Sequence, residues 1–188
     1  MDKQMDPRVL RTRKLIMDAL IELSMKKEFK DITIKDITTA ATVNRATFYY
    51  HFMDKYDLVE KVLSESIMRE VLQEVSTHEV INEETIEAIF LSIIKFQTSL
   101  SNQCQRSYEA FKPQIETIFK KELQVFFSEW GQKQWANPNK MEVEAGAVML
   151  SWALYGAAVY WMQNQTIQPE DYLKQLMPFI KNWNEHGE

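Results

Sequence analysis

Apolar residues recur every three or four positions along nearly the whole chain, and the strict alternation that marks strands is almost absent, so the pattern predicts an all-α fold. Residues 8–27 carry Ile16, Ala19, Leu20 and Leu23 on one stripe. Ile34, Ile37 and Ala41 form a second, shorter stripe, and Phe48 and Phe52 a third. Three such segments are expected to close a small head, with Phe29 plugging the loop after the first. From Asp54, placed to cap a helix, apolar residues continue through Tyr56, Leu58, Val59, Val62, Leu63, Ile67, Val71 and Val75 for about six turns. Beyond Asn82, helices are expected at 83–102, 104–112, 113–131, 140–164 and 170–184, with breaks at Pro113, at Asn137 with Pro138, and at Pro169. The expected domains are 1–53 and 54–188, with a helix over 54–76 connecting them.

Local chemistry sharpens the head. Thr33 and Asp36 have capping-box spacing, which starts a helix at Ile34. Thr42 and Val43 supply a short turn, and Asn44 is a good N-cap for a second helix over Arg45–His51. With Phe48 and Phe52 turned inward, Arg45, Ala46, Thr47, Tyr49, Tyr50 and His51 are left to project outward. For Tyr49 and Tyr50, packing within the head is the competing reading. An outer face of Thr, Tyr, His and Arg suits a phosphate-lined groove.

The run TIKDITTAATVNRATFYYHFMDK, residues 33–55, resembles the helix-turn-helix of the TetR (tetracycline-repressor) family of bacterial transcription regulators. The features that carry the resemblance are the upstream helix, the I-x-x-I-x-x-x-A core, the turn anchor Val43, the Thr47, Tyr49, His51, Phe52 run, and Lys55 two residues beyond Met53. It covers about residues 8–60 clearly and the remainder only in architecture. Thr42 stands where the family usually has glycine, and because Thr disfavours positive φ the turn is expected to be strained or reshaped. The resemblance implies that the helix from Lys55 transmits ligand binding to the heads. It also implies that Lys55 contacts a phosphate, and that helices near 140–164 and 170–184 form a four-helix interface across a two-fold axis.

Net charge argues against nucleic acid until it is divided by region. The 188 residues carry a formal charge of −5, but residues 1–60 hold 11 Lys or Arg against 10 Asp or Glu, and the rest holds 11 against 17. Lys3, Arg8, Arg11, Arg13 and Lys14 cluster near the start, where Lys35, Arg45 and Lys55 can join them against phosphates. An ordinary solvated helix face explains the N-terminal cluster equally well. A single cysteine, Cys104, rules out an intramolecular disulfide framework and points to a reducing compartment. With no signal-peptide pattern either, a cytoplasmic protein is expected.

Residues 140–164 are apolar over most of their length and dense in small residues, among them Ala145, Gly146, Ala147, Ala153, Gly156, Ala157 and Ala158. No second span or basic flank supports membrane insertion. Burial against its own domain and a twin subunit is the simpler reading, and Tyr172, Leu173, Leu176, Met177, Ile180 and Trp183 of the last helix extend it. Aromatics are abundant, and Phe90, Phe96, Gln97, Tyr108, Phe111, Gln114, Phe126, Trp130, Trp152 and Tyr155 are candidates for lining an effector pocket, against the alternative that they fill core and dimer interface. Cys104 beside Arg106 is read as an inert structural thiol in preference to a sensor. His51, His78 and His186 show no ligand spacing, so no metal site is expected, and no cofactor or catalytic motif can be read.

The expectation is a non-enzymatic, homodimeric regulator binding a double-stranded DNA operator, most simply a repressor released from a palindrome by a small apolar or aromatic effector. Thr47, Tyr49, His51 and Lys55 are assigned to phosphate or sugar, Arg45, Tyr50 and Lys35 to bases, and Asn44 and Ala46 to the same surface. The alternative is an interaction protein on the same fold whose C-terminal domain binds a protein partner.

Overall fold

Among the described residues the secondary structure is helical throughout: eight α-helices, a 3-10 turn at Phe29–Asp31 and a π turn at Met68–Leu72. The computed structural model describes residues 6–73, 75, 81–134 and 139–181. These divide into two compact units, Met1–Leu63 with Leu100–Pro113, and Ser64–Ser99 with Gln114–Glu188. Lys3, His78, Asn137, Pro138, Trp183 and His186 lie outside the described residues.

In the first unit, α1 (Pro7–Ser24) starts under Asp6, whose carboxylate accepts from the Arg8 amide at 2.8 Å. Pro7, which has no amide to leave unpaired, occupies the first helical position. The capping box predicted for α2 (Ile34–Ala40) is present in both directions: the Asp36 amide donates to Thr33 Oγ1 at 3.1 Å and the Thr33 amide to Asp36 Oδ2 at 2.9 Å. Those bonds hold the Asp36 carboxyl below its ordinary value. α2 ends in a Schellman motif, in which the Thr42 amide donates to the Thr39 carbonyl at 3.2 Å and the Val43 amide to the Thr38 carbonyl at 3.0 Å. That motif requires a left-handed residue after the cap, and Thr42 takes it with φ 55°. The turn therefore keeps the glycine-type shape, with the strain of a β-branched residue in it. α3 (Arg45–His51) follows. α1 packs on α2 and α2 on α3, around buried Ile16, Leu20, Ile37, Phe48 and Phe52.

Residues 100–113 complete this core. Phe111 meets Phe29 edge-on at 5.0 Å, and Phe29 meets Tyr56 at 5.4 Å. Ser107 Oγ donates to the Lys27 carbonyl at 3.0 Å, and Cys104, buried, lies 3.5 Å from Ser24 Oγ.

α4 (Lys55–Ile67) begins with the Tyr56 and Asp57 amides both donating to Asp54 Oδ1 at 2.8 Å, and continues into the π turn. The second unit contains α7 (Lys140–Asn164), α8 (Pro169–Lys181), and most of α5 (Glu83–Gln103) and α6 (Tyr108–Gln134). Here the expected helix break fails: residues 104–107 form a turn, and α6 runs without interruption through Pro113. Proline supplies no amide and costs the helix one bond. Ile115, Ile118, Phe119 and Leu123, all buried on one stripe, provide apolar packing that outweighs that loss. α8 tolerates Pro178 in the same way, with Leu173, Met177 and Ile180 buried. α6 and α7 approach closely, since a Cβ added at Gly131 would stand 3.0 Å from Val143 Cγ1.

Candidate nucleic-acid interface

α3 is two turns long and buries only Phe48, with Phe52 following as its C-cap. One inward ring fixes the rotation of the whole helix, so Tyr50 is 74% exposed and Tyr49 46%, with Arg45 and Ala46 also outward. Tyr49 packs edge-on against the buried Phe48 ring at 5.5 Å, so packing within the head accounts for part of its placement, whereas Tyr50 is the more exposed of the two. Asn44 Oδ1 accepts from the Thr47 amide at 2.8 Å and from Thr47 Oγ1 at 3.0 Å, so both side chains take part in starting the helix. Arg45 donates to the Tyr49 hydroxyl at 3.1 Å and its guanidinium lies 5.5 Å from that ring. No acid stands in the first turn of α3, and Arg45 is exposed.

His51 is half-buried between Tyr50 and Phe52, at ring separations of 5.1 and 6.2 Å. Burial, and then the nearby Arg13 charge, push its pKa below the ordinary value, which keeps the ring neutral at pH 7. Arg13 itself lies over Phe52 at 5.5 Å and donates to Met17 Sδ. Lys14 is paired with Asp18 at 2.7 Å, whereas Arg8, Arg11 and Lys35 stand exposed.

Lys55 has a placement that side-chain patterns do not reveal. Its ammonium donates to the carbonyls of Phe29, Lys30 and Ile32 at 3.0, 3.2 and 2.9 Å and lies 4.6 Å from the Phe29 ring centre. All three of its protons are used in tying the 3-10 turn to the start of α4.

Residues 16–62 match the family of bacterial regulatory proteins described as tetR. The head is a TetR-family head. The chain is 39% identical over 66 residues to the uncharacterized HTH-type transcriptional regulator YxbF of Bacillus subtilis, a match covering 35% of this chain and 17% of that one. It is 41% identical over 54 residues to YvkB, an uncharacterized HTH-type regulator of the same organism, covering 29% of each. The matched segments thus span well under two thirds of these relatives. Over the whole architecture, a TetR transcriptional regulator from Streptococcus agalactiae superimposes with TM-score 0.56 at 21% identity, covering 92% of this chain and 95% of that one, which establishes the shared fold. The family match thus covers the helix-turn-helix head, and the likeness over the remainder is one of fold.

The effector candidates scatter across this TetR-type architecture. Phe90, Phe96 and Tyr155 are buried, with Phe119 bridging Phe96 and Tyr155 at 5.4 and 5.6 Å. Gln97 is buried, and Gln114 and Trp130 are partly so. Tyr108 and Phe111 belong to the first unit. Trp152 is 56% exposed beneath the Lys120 ammonium, 4.1 Å from the ring centre. Of the ten, Phe126 alone borders the open groove of about 650 Å³ between residues 64–73 and α6. Among the described residues, no group of three or more His, Cys, Asp or Glu is placed to hold a metal.

Proposed function

We propose that the chain is a homodimeric transcriptional repressor that reads a palindromic operator through α3 and releases it on binding a small effector in the cytoplasm. The observation that carries the DNA-reading part is the Arg45–Tyr49–Tyr50 face, exposed and fixed in rotation by buried Phe48. Arg45 is assigned to a guanine edge, Tyr50 and Lys35 to neighbouring bases, and Tyr49, Thr47 and His51 to phosphate or sugar. Lys55 supports the surface by holding the 3-10 turn with all three of its protons, so the phosphate role that the family resemblance implies requires it to release one of those carbonyls.

One short recognition helix reads few base pairs, so a second head is needed, with half-sites about 34 to 36 Å apart or a multiple of this. Support for self-association comes from α7. Met141, Ala145, Met149, Trp152, Ala153, Gly156 and Tyr160 recur at helical spacing, and all are exposed. A Cβ at Gly156 would meet nothing within 4 Å in this chain. A mid-helix glycine costs about 0.5–1 kcal/mol, which close approach of a partner helix explains. Phe179 of α8, 80% exposed, extends the surface. α7 is also long and apolar enough to cross a membrane by length and composition, with 39% of its most apolar window buried. A two-fold partner accounts for the remainder without a bilayer.

Selection from a random DNA pool, with the mass of the resulting complex, tests this reading. A palindrome held by two chains is the expected result, lost in Arg45→Ala with dimer mass unchanged. A folded dimer that enriches no sequence would move the assignment to the protein-partner alternative.

A further inference from the structure

The groove of the second unit has a chemistry of its own. One wall is the ridge of Ser64 and Glu65, Met68 and Arg69, Leu72 and Gln73, at four-residue spacing, and the other is Glu122, Val125, Phe126 and Glu129 on α6. Met68 and Val125 are 45% and 46% exposed, apolar surface that faces this space. Its volume of about 650 Å³ falls within the range of small-molecule sites. The charge is one-sided. Glu65, Glu122 and Glu129 line it, Glu122 is held in place by Ser64 Oγ donating at 2.7 Å, and the basic lining residue, Arg69, is itself paired with Glu70 at 3.0 Å.

We infer that this groove binds a lipophilic organic cation, of the quaternary ammonium or phosphonium class. The apolar body lies on Met68, Leu72 and Val125, the Phe126 ring offers its negative face, and the Glu122 and Glu129 carboxylates supply the counter-charge. Anions of the same shape are repelled. A strongly hydrated cation such as Lys ammonium gains little from this floor, because it would lose water without regaining hydrogen bonds. The π turn, closed by the Gln73 amide on the Met68 carbonyl at 2.9 Å, forms part of the same wall. Such turns recur at functional sites. The cation deepens the effector reading by naming its ligand class, and its binding can be measured without DNA.

The test is calorimetric titration of the full chain with tetraphenylphosphonium and with tetraphenylborate, which share shape and differ in sign. The phosphonium is expected to bind at least about tenfold more tightly. Glu129→Gln is expected to weaken it about two- to fivefold, and Glu122→Gln with Glu129→Gln further, in variants whose helical circular dichroism is unchanged. Equal affinity for the two ions, no binding at millimolar phosphonium, or indifference to the double substitution would each overturn the site. Operator affinity measured with phosphonium present separates the two ideas: binding without loss of operator affinity keeps the site and removes ligand-controlled release.

Discussion

Thr42→Gly is expected to stabilise the head, against the usual direction for a glycine substitution. Thr42 sits at φ 55° because the Schellman motif at the end of α2 needs a left-handed residue there. An L-residue in that region costs about 1–2 kcal/mol, with a β-branched one toward the upper end. Glycine removes this cost but gives the unfolded chain more freedom, which takes back about 0.4–1 kcal/mol. Thr42 is exposed, so no buried contact is lost, and both backbone hydrogen bonds of the motif remain. The net gain is about 0.5–1.5 kcal/mol. The assay has to observe the head itself, since all five tryptophans lie at position 130 or beyond and tryptophan fluorescence would miss it. Amide hydrogen exchange of residues 34–52 does so, with protection expected to rise for Thr42→Gly and less for Thr42→Ala, which keeps a Cβ. Unchanged or reduced protection in the glycine variant, or an equal gain in both, would refute the strain argument.

Other expectations follow from the same contacts. Phe48→Ala, at a side chain with no exposed surface, is expected to cost about 3–5 kcal/mol, measured by urea denaturation followed by exchange; full stability would remove Phe48 as the anchor of α3. Lys55→Met keeps the stem but frees three carbonyls, and a loss of about 1.5–3 kcal/mol is expected. Weakened operator binding at unchanged stability would instead make its phosphate role dominant. His51 has a folded pKa below its ordinary value, chiefly through burial, so the head is favoured while the ring is neutral. That contribution is present above the unfolded value of about 6.5 and is lost as pH falls through it toward the folded pKa. An NMR titration placing the His51 midpoint at or above the unfolded value would contradict this, and His51→Asn is expected to flatten the head's stability profile in that window.

The sequence alone determined whatever rests on neighbours a few residues apart. The Thr33–Asp36 box, the Asn44 cap, the limits of α3 and the inward turn of Phe48 and Phe52 are all set by side chains bonding backbone within one turn, or by a 3.6-residue stripe seeking a core. Those features fix which residues α3 presents, so its outward face was legible before any coordinates. Tertiary structure decided the rest. Lys55 is bound to three carbonyls more than twenty residues away, and every residue offers a carbonyl, so no sequence pattern marks the acceptors. Pro113 continues a helix because buried neighbours on both sides outweigh one missing bond, a balance set by packing. Aromatics at helical spacing read identically whether they line a cavity or fill a core, and Phe90, Phe96 and Phe119 turned out to be packed while Phe126 borders open space. Residues 100–113 joined the first unit through Ser107, Cys104 and Phe111, contacts about eighty residues apart in the chain. Local bonds are encoded where they are made; long-range ones exist only once the chain has folded back on itself.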